Sequence, residues 1–180
     1  HITVFYDVDT IWALYIQNTY PVTWKVDGTN IDTTVYSTAY TGTAFAGLTG
    51  VYTDDNSTEV EANLTFIKGN DTVRTPDYPV NAGTWTVYAA PVNPAYMLSN
   101  NIFTLTITPA ELTISGVEVD TVKFYDGNRL ARVANSGVIS GFVGSDSAEP
   151  VVIAMYDNAE VGEGKTIVAT YSLGSAIGTN

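Results

Sequence analysis

Short stretches of strict alternation between apolar and polar residues recur along this chain of 180 residues. In residues 101–109, Phe103, Leu105 and Ile107 share one face of an extended strand, and threonines occupy the other face. Such a period of two is typical of β-strands, and Asp-Gly, Asn and Pro clusters separate the stretches as turns do. The sequence therefore predicts an all-β protein of the β-sandwich type. The same alternation is found in residues 83–90 and 166–171.

The charge balance excludes several classes of partner. Seven Lys and Arg residues stand against nineteen Asp and Glu residues, which gives a formal net charge of −12. Nucleic-acid binding needs clustered cations for the phosphates, and anionic lipid surfaces attract cations in the same way. No apolar run approaches the ~18 residues of a membrane-spanning helix. We therefore predict neither a nucleic-acid partner nor a membrane span in this segment.

The chain also lacks most of the side chains that enzymes use. It has no Cys, and its single His is residue 1. Thiol nucleophiles, disulfides, Cys-ligated zinc, histidine acid–base catalysis and multi-His metal sites are therefore excluded. Pairs of carboxylates remain, as glycoside hydrolysis requires, but acidic residues in turns and on strand edges more often serve solubility. We predict that the protein is not an enzyme and needs no cofactor.

A domain boundary is predicted near Pro109, where one strand ends and another begins after a short Pro-containing linker. The predicted modules are residues 1–110 and 111–180. Residues 1–33 either complete the first sandwich or end a preceding module, and completion is favoured because residues 2–6 and 22–26 alternate as strands that need partners. Residues 9–18 are ambiguous between a strand, which we favour, and a helical turn.

Three segments of the first module resemble the MBG-type repeats (mostly-β, glycine-rich) of bacterial surface proteins. They are residues 40–45 (Tyr-Thr-Gly-Thr-Ala-Phe), 80–87 (Val-Asn-Ala-Gly-Thr-Trp-Thr-Val) and 105–114 (Leu-Thr-Ile-Thr-Pro-Ala-Glu-Leu-Thr-Ile). The resemblance implies structural roles for Tyr40, Gly42, Gly83, Trp85 and Pro109. Trp85 replaces the tyrosine that is usual at its position in the repeat.

The second module resembles the YDG repeat, which often follows MBG units in long surface adhesins. The resemblance lies in residues 122–128 (Val-Lys-Phe-Tyr-Asp-Gly-Asn), 141–146 and 161–166 (Val-Gly-Glu-Gly-Lys-Thr). It implies structural roles for Tyr125, Asp126, Gly127 and Lys165. That repeat normally continues into a final strand, so we expect this module to lack its last strand.

These resemblances imply an all-β fold of two tandem Ig-like β-sandwich modules. They also imply a non-catalytic structural or adhesive module of a long, repetitive bacterial cell-surface or secreted protein. Such a module is extracellular, and its partners are neighbouring repeats of the same chain. One alternative is a module that binds a glycan or a host surface protein through aromatic side chains, which stack on sugars but also pack cores. The candidate residues are Trp12, Tyr15, Tyr20 and Trp24. A further alternative is a strand-exchanging filament subunit.

Two sets of side chains suggest additional chemistry. Calcium prefers oxygen ligands in loops, which Asp27, Asp32, Asp54 and Asp55 offer, although Asp also caps ordinary turns.

Lys25 and Lys123 lie in predicted strands of a chain that has few charges. Each could form an internal isopeptide bond with an Asn or Asp, as in some bacterial Ig-like stalk domains. The alternative is that each lysine protects an exposed strand edge.

Overall fold

The computed structural model describes residues 3–7, 10–14 and 18–177, and every regular element among them is a β-strand. The predicted all-β class is confirmed. The chain divides into two compact units, His1–Thr108 (unit 1) and Pro109–Asn180 (unit 2), whereas the predicted boundary followed residue 110. The described residues contain no helix long and apolar enough to cross a membrane.

The described part of unit 1 consists of short strands. Their bounds are β1 (Thr3–Asp7), β2 (Thr10–Leu14), β3 (Thr19–Pro21), β4 (Thr23–Val26), β5 (Thr29–Ile31), β6 (Val35–Ala39), β7 (Leu48–Thr53), β8 (Glu59–Glu61), β9 (Asn63–Lys68), β10 (Asp71–Arg74), β11 (Gly83–Ala90), β12 (Met97–Ser99) and β13 (Ile102–Thr108). The central part of the ambiguous segment 9–18 is therefore a strand, β2.

Two larger sheets organise unit 1. One has the order β10-β9-β11-β13-β6, in which β6 and β13 are parallel, and the other has the order β5-β4-β7-β8. In addition, β1 pairs with β2, and β3 pairs in parallel with β12. Residues 19–31 thus supply β3, β4 and β5, of which β4 is hydrogen-bonded to β7.

The core of unit 1 lies between these two sheets and follows the alternation of the sequence. Phe103, Leu105 and Ile107 on β13 are at most 2% exposed, while the threonines between them face outwards. The ring of Trp24 on β4 lies 4.8 Å from the ring of Phe103, measured between centroids, and so connects the two layers. Each fully buried side chain of this kind contributes about 1.5–3 kcal/mol to folding. Trp85 on β11 is also buried.

Unit 2 has longer strands but a thinner core. Its strands are β14 (Thr113–Val119), β15 (Leu130–Ala131), β16 (Val133–Ser140), β17 (Ser147–Tyr156) and β18 (Ile167–Ile177). They form a β14–β16 pair and a sheet of order β15-β17-β18. Ala131 and Ala154 are its buried apolar residues within the described range, and many larger aliphatic side chains are exposed.

The prediction that Lys123 lies in a strand was wrong. It lies in the connection between β14 and β15, where local hydrogen bonds replace a strand ladder. Lys25 does lie in a strand, β4.

Candidate functional site

Two tyrosines lie beside Tyr20, one of the candidate glycan-binding residues. The ring centroid of Tyr20 lies 4.8 Å from that of Tyr96 and 6.2 Å from that of Tyr52. Tyr20 is half-buried, and its hydroxyl donates a hydrogen bond to the carboxylate of Asp55. This hydrogen bond, together with partial desolvation, raises the pKa of Tyr20 above its ordinary value. Tyr20 therefore packs within unit 1 and presents only part of its ring to solvent.

Trp24, another predicted glycan-binding residue, does not offer a stacking surface. It is 3% exposed, and its Nε1–H donates to the carbonyl oxygen of Asn100 at 2.8 Å. The alternative interpretation of this residue, as part of the core, describes it correctly. Trp12 lies in β2, but its side chain lies outside the described part of the structure, as does Tyr15 altogether.

Two of the predicted calcium ligands form turns instead. Asp27 and Gly28 both have left-handed backbone conformations, with φ of 48° and 75°, as a two-residue hairpin turn between β4 and β5 requires. The Asp54 carboxylate accepts hydrogen bonds from the backbone N–H groups of Asn56 at 2.9 Å and Thr58 at 2.8 Å. Within the described ranges, no three acidic or histidine side chains are grouped as a metal site requires.

The remaining two aspartates of that set are exposed. Asp32 follows β5, and Asp55 accepts the tyrosine hydroxyl described above. The ordinary turn interpretation thus accounts for Asp27 and Asp54.

The Tyr125-Asp126-Gly127 segment of unit 2 forms a turn held by its own side chains. The Asp126 carboxylate accepts the backbone N–H of Asn128 at 3.1 Å and its side-chain amide at 2.7 Å. Gly127 has a φ of 76°, a conformation that residues with a side chain adopt at a cost. The sequence places Asp, Gly and Asn where an Asx turn needs them.

The ammonium group of Lys123 lies inside this turn. Its Nζ is 2.8 Å from Asp126 Oδ1, 2.7 Å from Asn128 Oδ1, 3.0 Å from the Asn128 carbonyl oxygen and 2.8 Å from the Leu130 carbonyl oxygen. The hydrogen bond from Lys123, followed by that from the Asn128 backbone, lowers the pKa of Asp126 below its ordinary value. Lys123 therefore stabilises the shape of the turn through non-covalent contacts with several of its residues.

The hypothesis of an internal isopeptide bond requires an Asn or Asp side chain beside the lysine. Lys123 has a side-chain amide as its neighbour, that of Asn128, whereas Lys25 forms an ion pair with Glu59 at 2.5 Å. Only Lys123 of the two thus has an Asn or Asp side chain among the contacts described here. The bond itself stays a hypothesis, one of the two interpretations of these lysines.

Lys165, a residue singled out by the YDG resemblance, has a similar role in the neighbouring loop. Its Nζ donates a hydrogen bond to the side-chain oxygen of Asn158 and lies 4.0 Å from Asp157 Oδ1. Asn158 in turn accepts the backbone N–H of Glu160 at 2.9 Å. The lysine thus holds the loop between β17 and β18.

An open cavity of about 540 Å³ lies between these two loops of unit 2. Its polar lining includes Lys123 and Lys165. Phe124 and Tyr125 also line it and are 97% and 71% exposed. The sequence analysis did not single out Phe124, although its position directly before the Tyr-Asp-Gly turn was a usable signal. The cavity thus combines exposed aromatic faces with fixed polar groups.

Two of the MBG-like residues of unit 1, Tyr40 and Trp85, are buried and hydrogen-bonded. Tyr40 is buried after β6, and its backbone N–H donates to the Thr108 carbonyl oxygen at 2.9 Å. Trp85 is 2% exposed and donates from Nε1 to the Asn81 carbonyl oxygen at 3.0 Å. Gly83 begins β11 beneath Lys68.

The last two MBG-like residues are exposed. Gly42 has a φ of 76° in the loop after β6, and Pro109 opens the linker between the units.

Comparison with known families identifies the second unit. Residues 108–180 match the family model of the YDG domain, a repeat domain of surface-type and secreted proteins. No curated protein and no solved structure matches the chain. The predicted YDG-type repeat is therefore confirmed for residues 108–180, which include the Tyr-Asp-Gly turn and Lys165. The resemblance of unit 1 to MBG-type repeats stays a prediction.

Proposed function

We propose that this chain is a non-catalytic structural segment of a long, repetitive bacterial surface or secreted protein, in which it acts as a stalk or adhesin segment outside the cell. Unit 1 is an MBG-type repeat in this proposal, and neighbouring repeats of the same chain are the partners. The YDG domain in residues 108–180 supports the repetitive context. The observation that carries the mechanical role is the position of β13.

Strand β13 leads directly out of unit 1 and is bonded on both sides. It is antiparallel to β11, from Gly83↔Ile107 to Tyr88↔Ile102, and parallel to β6 along its other edge. Ladder hydrogen bonds run across the strands, so tension along β13 from Thr108 loads many of them together. The buried face of β13 adds its packing to this resistance. Such a strand suits a segment that transmits force between repeats.

The linker after β13 is short. Four residues, 109–112, separate β13 from β14, and the first of them is Pro109. Proline fixes its own φ and restricts the residue before it, which reduces the freedom of the junction. A restricted junction is what a semi-rigid stalk needs.

The hydrogen-bond pattern of β6 provides a sharp test. The Thr104 N–H donates to the Thr34 carbonyl oxygen at 2.8 Å, and the Tyr40 N–H donates to the Thr108 carbonyl oxygen at 2.9 Å. Because backbone groups alternate along a strand, the even-numbered residues of β6 direct their N–H groups to β13. The odd-numbered residues direct theirs away from β13.

Single-molecule pulling on tandem copies of the whole chain should therefore distinguish two proline variants. Thr38→Pro removes an N–H that faces β13, and we expect it to lower the unfolding force of unit 1. Ser37→Pro, the matched control, removes an N–H that faces away and should leave that force close to the wild-type value. Equal effects of both variants would argue against a role for the β6–β13 contact. Extension of the wild type without a resolvable unfolding event would contradict the stalk proposal.

A second candidate function is glycan binding by unit 2, which the exposed rings of Phe124 and Tyr125 at the cavity favour. Aromatic faces pack against the apolar faces of sugar rings, and nearby amides and carboxylates bond their hydroxyls. A glycan array probed with the whole chain should lose its signal on Tyr125→Ala. The signal should persist on Tyr88→Ala, which removes an exposed ring on β11 of unit 1. Absence of any glycan signal from the wild type removes this candidate.

A further inference from the structure

A short parallel ladder connects β3 with the strand that precedes β13. Strand β3 pairs in parallel with β12, and β12 continues through two residues into β13. The Met97 N–H donates to the Asn18 carbonyl oxygen at 3.0 Å, at one end of the ladder. The Val22 N–H donates to the Ser99 carbonyl oxygen at 2.9 Å, at the other end. The ladder therefore joins β3 to the part of the chain that leads into the last strand of unit 1.

The parallel direction of this pair determines how tension loads it. Tension along the chain pulls β3 towards its N-terminal end, and it pulls β12 towards its C-terminal end, where the chain continues into β13. In a parallel pair these two pulls oppose each other along the strand axis. The hydrogen bonds run between the strands, so they are sheared together and are not opened one after another. The β3–β12 ladder therefore resists tension better than a hairpin of the same length that opens from one end.

The position of Pro21 agrees with this ladder. Backbone groups alternate along a strand, and the Val22 N–H is directed to β12. The N–H of Tyr20 therefore has the same direction, whereas Thr19 and Pro21 occupy positions that face away from β12. Proline has no N–H to donate, and at position 21 the ladder needs none. Strand β3 thus contains a proline without losing a hydrogen bond to β12.

The side chain of Tyr20 attaches β3 to a second part of unit 1. Its hydroxyl donates to the carboxylate of Asp55, which lies in the connection between β7 and β8. The side-chain amide of Asn18 donates to the same carboxylate at 3.4 Å. Hydrogen bonds to a charged acceptor are stronger than those between neutral groups. The Tyr96 ring, just before β12, packs against the Tyr20 ring on the other side. Both the backbone and the side chains of β3 are therefore held in place.

We propose that the β3–β12 ladder and the Tyr20–Asp55 hydrogen bond together form a mechanical clamp, which bears the tension that enters unit 1 from its N-terminal side. The inference rests on the proposed stalk function, and it adds a second load-bearing contact to the one at β13. It also gives the Tyr20 hydroxyl a role that is different from sugar binding. Rupture of the clamp is the step that sets the force at which unit 1 unfolds when the chain is pulled from its N-terminal side.

Constant-force pulling on the whole chain in two geometries tests the clamp. One handle is attached through Glu111→Cys in the linker after β13, since the chain has no Cys of its own. The other handle is attached at the N-terminus, so that the tension passes through β3. In the second geometry it is attached through Asn30→Cys on β5. Strand β5 follows β3 in the chain, so this geometry leaves β3 outside the pulled segment.

Tyr20→Phe removes the hydroxyl and retains the ring. When the chain is pulled from the N-terminus, this variant should raise the unfolding rate of unit 1 at a given force about tenfold or more, because a hydrogen bond to a charged group is lost. In the Asn30→Cys geometry it should leave the rate nearly unchanged. Tyr88→Phe is the matched control, since Tyr88 is exposed on β11 and none of the described hydrogen bonds uses its hydroxyl. It should have no effect in either geometry.

A pair of proline variants tests the backbone ladder independently of the Tyr20 side chain. Met97→Pro removes the N–H that bonds to Asn18, and we expect it to lower the unfolding force of unit 1 when the chain is pulled from the N-terminus. Thr19→Pro removes an N–H that faces away from β12 and should leave that force close to the wild-type value. Met97 and Thr19 are both exposed, so neither substitution removes a core side chain.

The outcomes separate this inference from the stalk proposal. Equal acceleration by Tyr20→Phe in both geometries would mean that its hydrogen bond contributes only ordinary stability, which overturns the clamp. Equal effects of Met97→Pro and Thr19→Pro overturn it as well. Either result leaves the test of β13 with Thr38→Pro unaffected. Extension of the wild type without a resolvable unfolding event would instead contradict the clamp and the stalk proposal together.

Discussion

Gly83 is the position of unit 1 where we expect a side chain to be least tolerated. Its φ is 131°, and a Cβ atom added there lies 2.7 Å from Cδ of Lys68. The Lys68 ammonium lies 4.9 Å from the centroid of the Trp85 ring and donates to the Ala82 carbonyl oxygen at 3.0 Å. A methyl group at Gly83 therefore strains the backbone and displaces the lysine from both contacts.

The expected cost of Gly83→Ala follows from these terms. A residue with a side chain in a conformation reserved for glycine costs about 1–3 kcal/mol. Loss of the cation–π contact costs about 0.5–1 kcal/mol, and loss of the hydrogen bond about 0.5–1.5 kcal/mol. We expect the free energy of unfolding of unit 1 to fall by about 2–5.5 kcal/mol. Gly69→Ala is the matched control, since Gly69 has a φ of 59° and nothing within 4 Å of an added Cβ. It should cost about 1 kcal/mol.

Tryptophan fluorescence during denaturant unfolding isolates unit 1, because all three tryptophans of the chain precede residue 109. The double variant Gly83→Ala with Lys68→Ala separates the two causes. If the contact matters, the glycine substitution costs less in the Lys68→Ala background, with a coupling of about 1–2 kcal/mol. A cost for Gly83→Ala within about 0.5 kcal/mol of zero, the range of an ordinary surface substitution, would refute the reasoning. A cost equal to that of Gly69→Ala, without coupling, would refute the role of Lys68.

Three further expectations concern single groups. The pKa of Asp126 is lowered in the folded state, so its contribution to the stability of unit 2 is full above the unfolded pKa and is lost as pH falls through the folded pKa. A carboxyl titration by NMR checks this, and an unshifted Asp126 contradicts it. The pKa of Tyr20 is raised, so its contribution is full below the unfolded value of 10.0 and is lost as pH rises through the folded value. An ultraviolet titration compared with Tyr20→Phe should show this. Finally, an isopeptide bond between Lys123 and Asn128 releases one ammonia, so an intact mass without that deficit excludes the bond.

The strands of unit 1 could be predicted because the alternation there has a single interpretation. In β11 and β13 the apolar residues recur at every second position, and threonines occupy most of the positions between them. Burial follows the same period, with Trp85 and Val87 inside and Thr84 outside. Where polarity and period agree, the buried face of a strand can be predicted without knowing its partner strands.

The role of Trp24 was harder to predict, although a signal for it existed. Val22, Trp24 and Val26 share one face by the same period, and all three are buried. Tryptophan occurs both in protein cores and on sugar-binding surfaces, so the residue type alone leaves both interpretations open. The packing partner that decides between them, Phe103, lies on a strand far away in the sequence.

Lys123 shows how local hydrogen bonds override a strand pattern. Val122 and Phe124 on either side of it resemble the apolar positions of a β-strand. The Asp126 carboxylate instead bonds the backbone of Asn128, and the lysine bonds the carbonyl groups of the same turn. Side chains that satisfy the backbone locally compete with a ladder, and here the turn prevails.

Strand β17 is an example in which the sequence pattern predicts the strand but not the burial of both its faces. Residues 150–156 form a continuous apolar run, which is typical of a strand that is covered on both faces. Ala154 is 1% exposed, whereas Ile153 and Met155 on the opposite face are 49% and 38% exposed. An alternation with a period of two shows which residues share a face of the strand. Whether another layer covers that face depends on other parts of the protein or on other molecules. The apolar run of β17 therefore predicts a strand, whereas the exposure of Ile153 and Met155 follows only from the fold around them.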